Sequence, residues 1–133
     1  MNTPSGSDLP ELGALEVAER LFSCIEAGDM VGAQAMMADD MSVWTNFDGR
    51  TVDRDRALRT IGWLTTTLAG LAYDIEERIV TADGFVQRHV LRATVPSGTE
   101  IAMPACIVAS VADGRVTAMF EYADPTNLMA ALT

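Results

Sequence analysis

Apolar residues in the first half of the chain recur at the three- and four-residue spacing that is typical of amphipathic helices. The first of these stretches predicts a helix over residues 11–27. Asp29 is a favourable N-cap for a second, short helix that ends at the acidic pair Asp39-Asp40. Asp53 caps a third predicted helix, which covers residues 54–71. The N-terminal half is therefore predicted to be mainly helical.

The second half of the chain changes to the two-residue alternation of β-strands. Short turn sequences rich in Asp, Gly and Pro separate the apolar segments and indicate hairpins. Helices followed by hairpins predict an α+β fold, in which three helices cover one face of an antiparallel sheet. The predicted strands are a short piece at residues 41–45 and the segments 73–81, 85–95, 101–111 and 115–122.

One of these strands carries the only histidine of the chain. Alternation places Gln87 and His89 on the same face as apolar neighbours, while Arg88 and Arg92 mark the opposite, wetter face. A buried amide and a buried imidazole must each find a hydrogen-bond partner or line a cavity. His89 is accordingly the leading functional candidate, and the alternative is a histidine that is simply satisfied within the core.

The last strand places Glu121 on the same face as Met119. A carboxylate on an apolar face is costly unless it is paired, protonated or open to a wet cavity, and His89 is its expected partner. Hairpin order alone does not fix the register of the strands, so a solvated strand end remains an equal alternative for Glu121.

Two residues near the first turn are further candidates. Trp44 and Asn46 lie two positions apart and are predicted to share one side, where they could contact a substrate. Taken alone, Asn46 is more typical of a turn and Trp44 of a core. On the third hairpin strand, Met103 and Ala105 could form either core or pocket floor.

Composition narrows the classes of function. A chain of 133 residues fits one domain, predicted over residues 11–133 after a flexible segment at residues 1–10. A net charge of −10 disfavours nucleic acids and anionic membranes as partners. All nine basic residues are arginines, which excludes a lysine Schiff base, and a single histidine makes a metal centre improbable. No cofactor is expected, and without a signal peptide or membrane span the default location is the cytoplasm.

The order of elements resembles the nuclear transport factor 2-like superfamily, together with the sequences Ala27-Gly28-Asp29 and Ala38-Asp39-Asp40 that flank the second helix. The chain is most similar to the branch that contains SnoaL-like polyketide cyclases and limonene epoxide hydrolases. This resemblance implies a cone-shaped fold in which a curved sheet encloses a pocket, and a homodimer formed through the outer face of the sheet. The matching segments are Trp44-Thr45-Asn46, Val90-Leu91-Arg92, Asp113-Gly114-Arg115 and Glu121-Tyr122-Ala123-Asp124-Pro125.

The resemblance also implies roles for single residues. Asn46 matches the asparagine that helps to hold water in the epoxide hydrolases, and Glu121 matches their water-activating aspartate. Trp44 stands where those enzymes have a tyrosine. The alignment places Gln87 and His89 at the family's arginine and second aspartate, whereas a register shift of one residue would bring in Arg88 instead.

Two hypotheses follow. In the first, the chain is a small-molecule enzyme in which His89, Glu121 and Asn46 carry out acid–base chemistry, either hydrolysis, isomerisation or cyclisation, on an apolar polyketide- or terpene-like substrate. In the second, the same fold is a non-catalytic ligand-binding or dimerisation domain. The residues predicted to contact the small molecule are Trp44, Gln87, Leu91, Met103, Ala105 and Met119.

Overall fold

Residues 12–133, the part of the chain described by a computed structural model, form four helices and six strands. The flexible segment predicted for residues 1–10 and the start of the first helix at residue 11 lie outside this part. The helices are α1 (Ala14–Ala27), α2 (Met30–Ala35), α3 (Arg54–Thr67) and α4 (Thr126–Ala131). The strands are β1 (Met37–Thr45), β2 (Thr51–Asp53), β3 (Ala69–Val80), β4 (Gly84–Thr94), β5 (Glu100–Ala112) and β6 (Arg115–Ala123).

The strands form one curved sheet in the order β2-β1-β6-β5-β4-β3, with helices packed on it. The α+β class predicted from the sequence is confirmed. The sheet is mixed, however, and the prediction of an antiparallel sheet is wrong for one pair: β1 runs parallel to β6, with Val43 opposite Met119. These two strands are far apart in sequence, so no hairpin turn determines their relative direction.

Two helices end earlier than predicted. α2 ends at Ala35, and the acidic pair Asp39-Asp40 belongs to β1. Met37 and Met41 are buried on that strand, and their four-residue spacing suits one face of a helix and one face of a strand equally well. α3 ends at Thr67 rather than Leu71, because Leu68 is extended and Gly70 adopts a φ of 62° that favours glycine.

Helix α1 covers the concave face of the sheet. Its buried residues lie at helical spacing and include Leu21, Phe22 and Ile25. The Phe22 ring meets Tyr73 of β3 edge to face, with 4.9 Å between the ring centroids, and contacts Phe85 of β4 at 6.4 Å. Aromatic packing of this kind fixes the helix against β3 and β4.

Alternation along β4 follows the sequence prediction. Gln87 and His89 face inward and are only 0% and 2% exposed, whereas Arg88 and Arg92 are exposed on the outer face. Arg88 pairs with Glu76 of β3 at 3.0 Å. The register alternative that would bring Arg88 inward is therefore excluded.

Candidate functional site

A cavity of about 310 Å³ lies between the concave face of the sheet and helices α1 and α3. Its size is at the lower end of the range of ligand pockets, and most of its wall is apolar, as ligand pockets usually are. His89, Glu121 and Tyr73 line it among these apolar side chains. The predicted contact residues Leu91, Met103 and Met119 also line it, with α1 and β1 providing Leu21, Phe22, Ile25, Met37, Met41 and Val43.

His89 and Glu121 reach this cavity from different strands. His89 is on β4, Glu121 is on β6, and β5 runs between them, with Ala105 opposite His89 and Ile107 opposite Glu121. Two strand spacings separate their backbones by about 10 Å. No hydrogen bond joins their side chains in residues 12–133, so the prediction that they partner each other directly is wrong. The two groups instead flank a shared space.

Glu121 is half-buried and faces mostly apolar neighbours. Within residues 12–133, no side chain donates a hydrogen bond to its carboxylate and no arginine pairs with it. Removal from water disfavours the charged form and raises the pKa of this carboxyl. The alternative of a fully solvated strand end is therefore wrong.

The true partner of His89 is Gln87. Its Nε2 lies 2.9 Å from His89 Nδ1, and its Oε1 accepts a hydrogen bond from Arg78 Nε at 2.8 Å. Burial, together with the positive charge of Arg78, lowers the pKa of His89 to about 4. The imidazole is neutral at pH 7. Gln87 itself does not line the cavity, because it lies behind His89, against Arg78.

Tyr73 and Arg78 are members of the site that the sequence did not indicate. The Tyr73 ring lies edge-on to His89, 4.9 Å away. Burial and the nearby carboxylates of Glu121 and Glu26 raise the pKa of Tyr73, which keeps its phenol protonated. A β-bulge between Ile75 and Glu77 changes the alternation of β3, so that both Tyr73 and Arg78 face inward. Bulges leave no reliable signal in residue alternation.

Besides Gln87, two predicted contact residues do not line the cavity. Trp44 packs against Phe120 and Tyr122 on the outer face, at centroid distances of 6.2 and 5.3 Å, because its neighbours Val43 and Thr45 face the cavity. Ala105 is buried on the inner face without lining the cavity. The sequence thus placed Trp44 on the wrong side of β1.

Asn46 also lies away from the cavity and is exposed. Its Oδ1 accepts a hydrogen bond from the backbone N–H of Ala123 at 2.8 Å, and its own N–H donates to the Glu121 carbonyl at 3.1 Å. These bonds join the ends of β1 and β6. The geometry therefore gives Asn46 a structural position rather than the predicted place among the reacting groups.

The cavity also has polar side chains from the end of β1, where Thr45 lies opposite Glu121, and from the β1–β2 connection and α3, namely Asp48, Arg50, Arg56 and Thr60. In the same described part of the chain, no helix is long and apolar enough to cross a membrane. Nor do three or more His, Cys, Asp or Glu side chains there come together as a metal site would require.

Comparison with known proteins gives one family and a set of shared folds. The family model of the SnoaL-like domain matches residues 18–119. No curated protein matches the chain by sequence. Among solved structures, IdmH from Streptomyces antibioticus, described as a possible polyketide cyclase, is 18% identical with a TM-score of 0.79, covering 89% of this chain and 96% of IdmH.

Two further structures have the same fold. An NTF2-like protein of unknown function from Burkholderia pseudomallei is 17% identical with a TM-score of 0.77, over 90% of this chain and 97% of its own. A SnoaL-like protein from Shewanella denitrificans, also described as a possible polyketide cyclase, is 11% identical with a TM-score of 0.76, over 89% and 95% of the two chains. At these identities the likeness concerns the fold alone.

Proposed function

Because the chain belongs to the SnoaL-like domain family, as its sequence predicts, we propose that it is a cofactor-independent isomerase or cyclase. Its substrate would be an apolar, cyclic polyketide- or terpene-like molecule with a carbonyl group. The observation that carries this proposal is the Glu121 carboxylate, which faces an apolar cavity without a partner in residues 12–133. The sequence also predicts hydrolysis of an epoxide as a possible reaction. That reaction is less well supported, because Asn46 is not in the cavity to hold a water molecule.

Glu121 has the properties of a general base. An unpaired carboxylate in an apolar wall costs stability, so its position is better explained by chemistry than by packing. Burial moves its pKa upward, toward the operating pH, where a base is most effective. It also lies in the same cavity as two groups that can donate hydrogen bonds, His89 and Tyr73.

His89 on β4 and Tyr73 on β3 line the same cavity as Glu121, on the other side of β5 from β6. The imidazole is neutral and the phenol protonated at pH 7, so each can donate a hydrogen bond to a substrate oxygen. Donors directed at an oxygen that gains negative charge are among the largest contributions to catalysis. A substrate that spans the cavity would place its carbonyl at His89 and its acidic carbon at Glu121.

The proposed step begins when Glu121 removes a proton from the carbon next to the carbonyl. The electrons of the broken C–H bond form a C=C bond, and those of the carbonyl double bond move to oxygen, where His89 stabilises the enolate. In an isomerisation, the substrate is a β,γ-unsaturated ketone, and protonated Glu121 returns the proton to the γ-carbon of the dienolate, so that the C=C bond moves to the α,β position and the carbonyl re-forms. In a cyclisation, the enolate carbon attacks a second carbonyl of the same molecule, and Glu121 protonates the new alkoxide.

Exchange of α-protons tests this proposal without knowledge of the natural product. The chain is incubated in D₂O with a panel of bicyclic ketones that includes 1-tetralone, and loss of the α-proton signal is followed by NMR. The wild type should accelerate exchange over buffer, and Glu121→Gln should lower that rate by about 10²-fold or more. Glu100→Gln, at an exposed strand end, is the matched control and should retain the full rate.

Two results would overturn the proposal. One is exchange at the buffer rate for the whole panel; if chemical-shift changes then showed that a ketone binds, the chain would be the ligand-binding domain of the second hypothesis. The other is full activity in Glu121→Gln, which would remove the proposed base from the mechanism.

A further inference from the structure

A chain of three side chains ends at the His89 ring. Arg78 of β3 donates from Nε to Gln87 Oε1 over 2.8 Å, and Gln87 Nε2 lies 2.9 Å from His89 Nδ1. Gln87 is fully buried and His89 is 2% exposed, so water does not compete for the contact between them, whereas Arg78 is half-buried. The Arg78 guanidinium also lies over the Phe22 ring, 5.9 Å from its centroid, which helps to hold it in place.

The chemistry of these groups determines where every proton lies. A guanidinium has only donors, so the side of the Gln87 amide that faces Arg78 must be its oxygen. The amide nitrogen then faces His89, and an amide nitrogen also only donates. Nδ1 must therefore accept, and the proton of the neutral ring must be on Nε2.

We propose that Arg78 is a positioning residue that acts through Gln87 to hold His89 as the Nε2–H tautomer, so that the ring presents a donor to the substrate oxygen. This inference rests on the proposed function only where it assigns that donor to the substrate. The tautomer itself follows from the buried contacts alone. Arg78 touches neither the cavity nor the proposed reacting atoms.

The same arrangement prevents His89 from acting as the base. Protonation at Nδ1 would direct an N–H at the Gln87 NH₂ group and would place a second positive charge near Arg78. Besides Gln87 and Arg78, the ring is faced by Phe22 of α1 and Tyr73 of β3, neither of which offers a negative charge. The sequence hypothesis of a His89–Glu121 acid–base pair thereby becomes a division of labour, with Glu121 as the base and His89 as the donor.

Nuclear magnetic resonance of the ring nitrogens tests the inference directly. The chain has one histidine, so ¹⁵N labelling of histidine reports a single residue. At pH 7 the wild type should show an unprotonated Nδ1 and a protonated Nε2. Arg78→Gln, whose amide can both donate and accept, should allow Gln87 to turn over and should shift population toward Nδ1–H.

Gln87→Glu is the second variant, and it replaces the amide nitrogen that faces Nδ1 by an oxygen that can only accept. A carboxylate accepts from both neighbours, so the ring should become protonated on Nδ1 and its pKa should rise. At a pH above the raised pKa of the ring, where the neutral ring carries its proton on Nδ1 and none on Nε2, kcat for exchange of 1-tetralone should fall by about 10²-fold with little change in KM, the pattern of a lost transition-state donor. Arg88→Gln, one position along β4 on the outer face, is the control and should change neither the tautomer nor kcat.

An Nδ1–H wild type at pH 7 would overturn the inference, as would an unchanged tautomer in Gln87→Glu. The wild-type spectrum decides even if Arg78→Gln fails to fold. Failure of the proposed function gives a different result. If the ring is the Nε2–H tautomer but no ketone exchanges, the proposed function is wrong and the role of Arg78 and Gln87 in setting the tautomer stands. If ketones exchange but the ring is the Nδ1–H tautomer, the function stands and the role of Arg78 and Gln87 is wrong.

Discussion

Glu121 should destabilise the folded chain at neutral pH. Its pKa is raised by burial, so between its ordinary pKa and the raised one the folded state binds more protons than the unfolded state, and stability falls as the pH rises. Glu121→Gln removes this effect. We expect the variant to melt at a higher temperature than the wild type at pH 7, and the difference to disappear at pH 4. A lower melting temperature for the variant at pH 7 would contradict the desolvation argument.

His89 should have the opposite pH dependence. Its pKa is lowered to about 4 in the folded state from 6.5, so the unfolded state binds more protons between these values and stability is lost as the pH falls from 6.5 to 4. Between pH 7 and 4.5, the wild type should lose about 2 kcal/mol more unfolding free energy than His89→Gln, at 1.36 kcal/mol per pH unit. Urea unfolding of both proteins at both pH values measures this difference. If the wild type and His89→Gln lost the same unfolding free energy, the ring would not be buried as a neutral group.

Asn46 should contribute to stability rather than to catalysis, because it lies outside the cavity. Its bond to the Ala123 N–H links β1 to β6, so Asn46→Ala should reduce the free energy of unfolding by about 1 kcal/mol. Asn46→Asp retains the acceptor and should lose less. Ketone exchange should persist in both variants, because Asn46 does not line the cavity. Loss of exchange in a fully folded Asn46→Asp variant would restore it to the catalytic group.

At the residue level, alternation was sufficient to place Gln87 and His89 inside, since both faces of β4 differ clearly in polarity. It could not find their partner, because a bulge in β3 brings Arg78 to Gln87. Trp44 shows the converse problem. Alternation applies to β1 as well, but polar and apolar residues occur on both faces of that strand. The sequence therefore did not show which face is buried, and Trp44 was placed on the wrong one.

Among the elements, α3 depends on its N-cap and carries part of the cavity wall. Asp53 accepts a hydrogen bond from the Arg56 N–H at 2.9 Å, as the sequence predicted. Asp53→Ala should therefore cost about 1 kcal/mol of stability. Asp55→Ala keeps the cap and is the control, because it also removes one carboxylate from the start of the helix. Denaturant unfolding compares them, and equal stability of both variants would show that the cap contributes nothing.

Element type was more predictable than element ends. α1 and its stop at Gly28, which has a φ of 72°, follow from local chemistry. The ends of α2 and α3 depend on pairing in the sheet: β1 recruits residues after Ala35 by pairing with β6, and β3 begins at Ala69 by pairing with β4. Pairing between strands that are distant in sequence overrides the helical spacing of apolar residues. Such pairing cannot be predicted from the sequence of one segment alone.

For the whole molecule, the main question is what covers the outer face of the sheet. Trp44, Phe120 and Tyr122 form an aromatic cluster there, and Phe120 and Tyr122 are 44% and 48% exposed. Val108 on the neighbouring strand β5 and Ile79 on β3, at the sheet edge, are also exposed. Exposed apolar patches on a protein surface often mark protein–protein interaction sites. This surface agrees with the homodimer that the family resemblance predicts, in which two such faces meet about a twofold axis.

Light scattering coupled to size-exclusion chromatography tests this prediction. The wild type should elute as a dimer at micromolar concentration, and Tyr122→Glu should be a monomer, because each chain would bring an unpartnered carboxylate into the proposed interface. Val31→Glu replaces an apolar residue that is 83% exposed on α2, outside the sheet face, and should remain dimeric. A monomeric wild type would contradict the prediction. In that case, the cavity on the inner face would have to be supported by a sheet whose aromatic outer face is open to water.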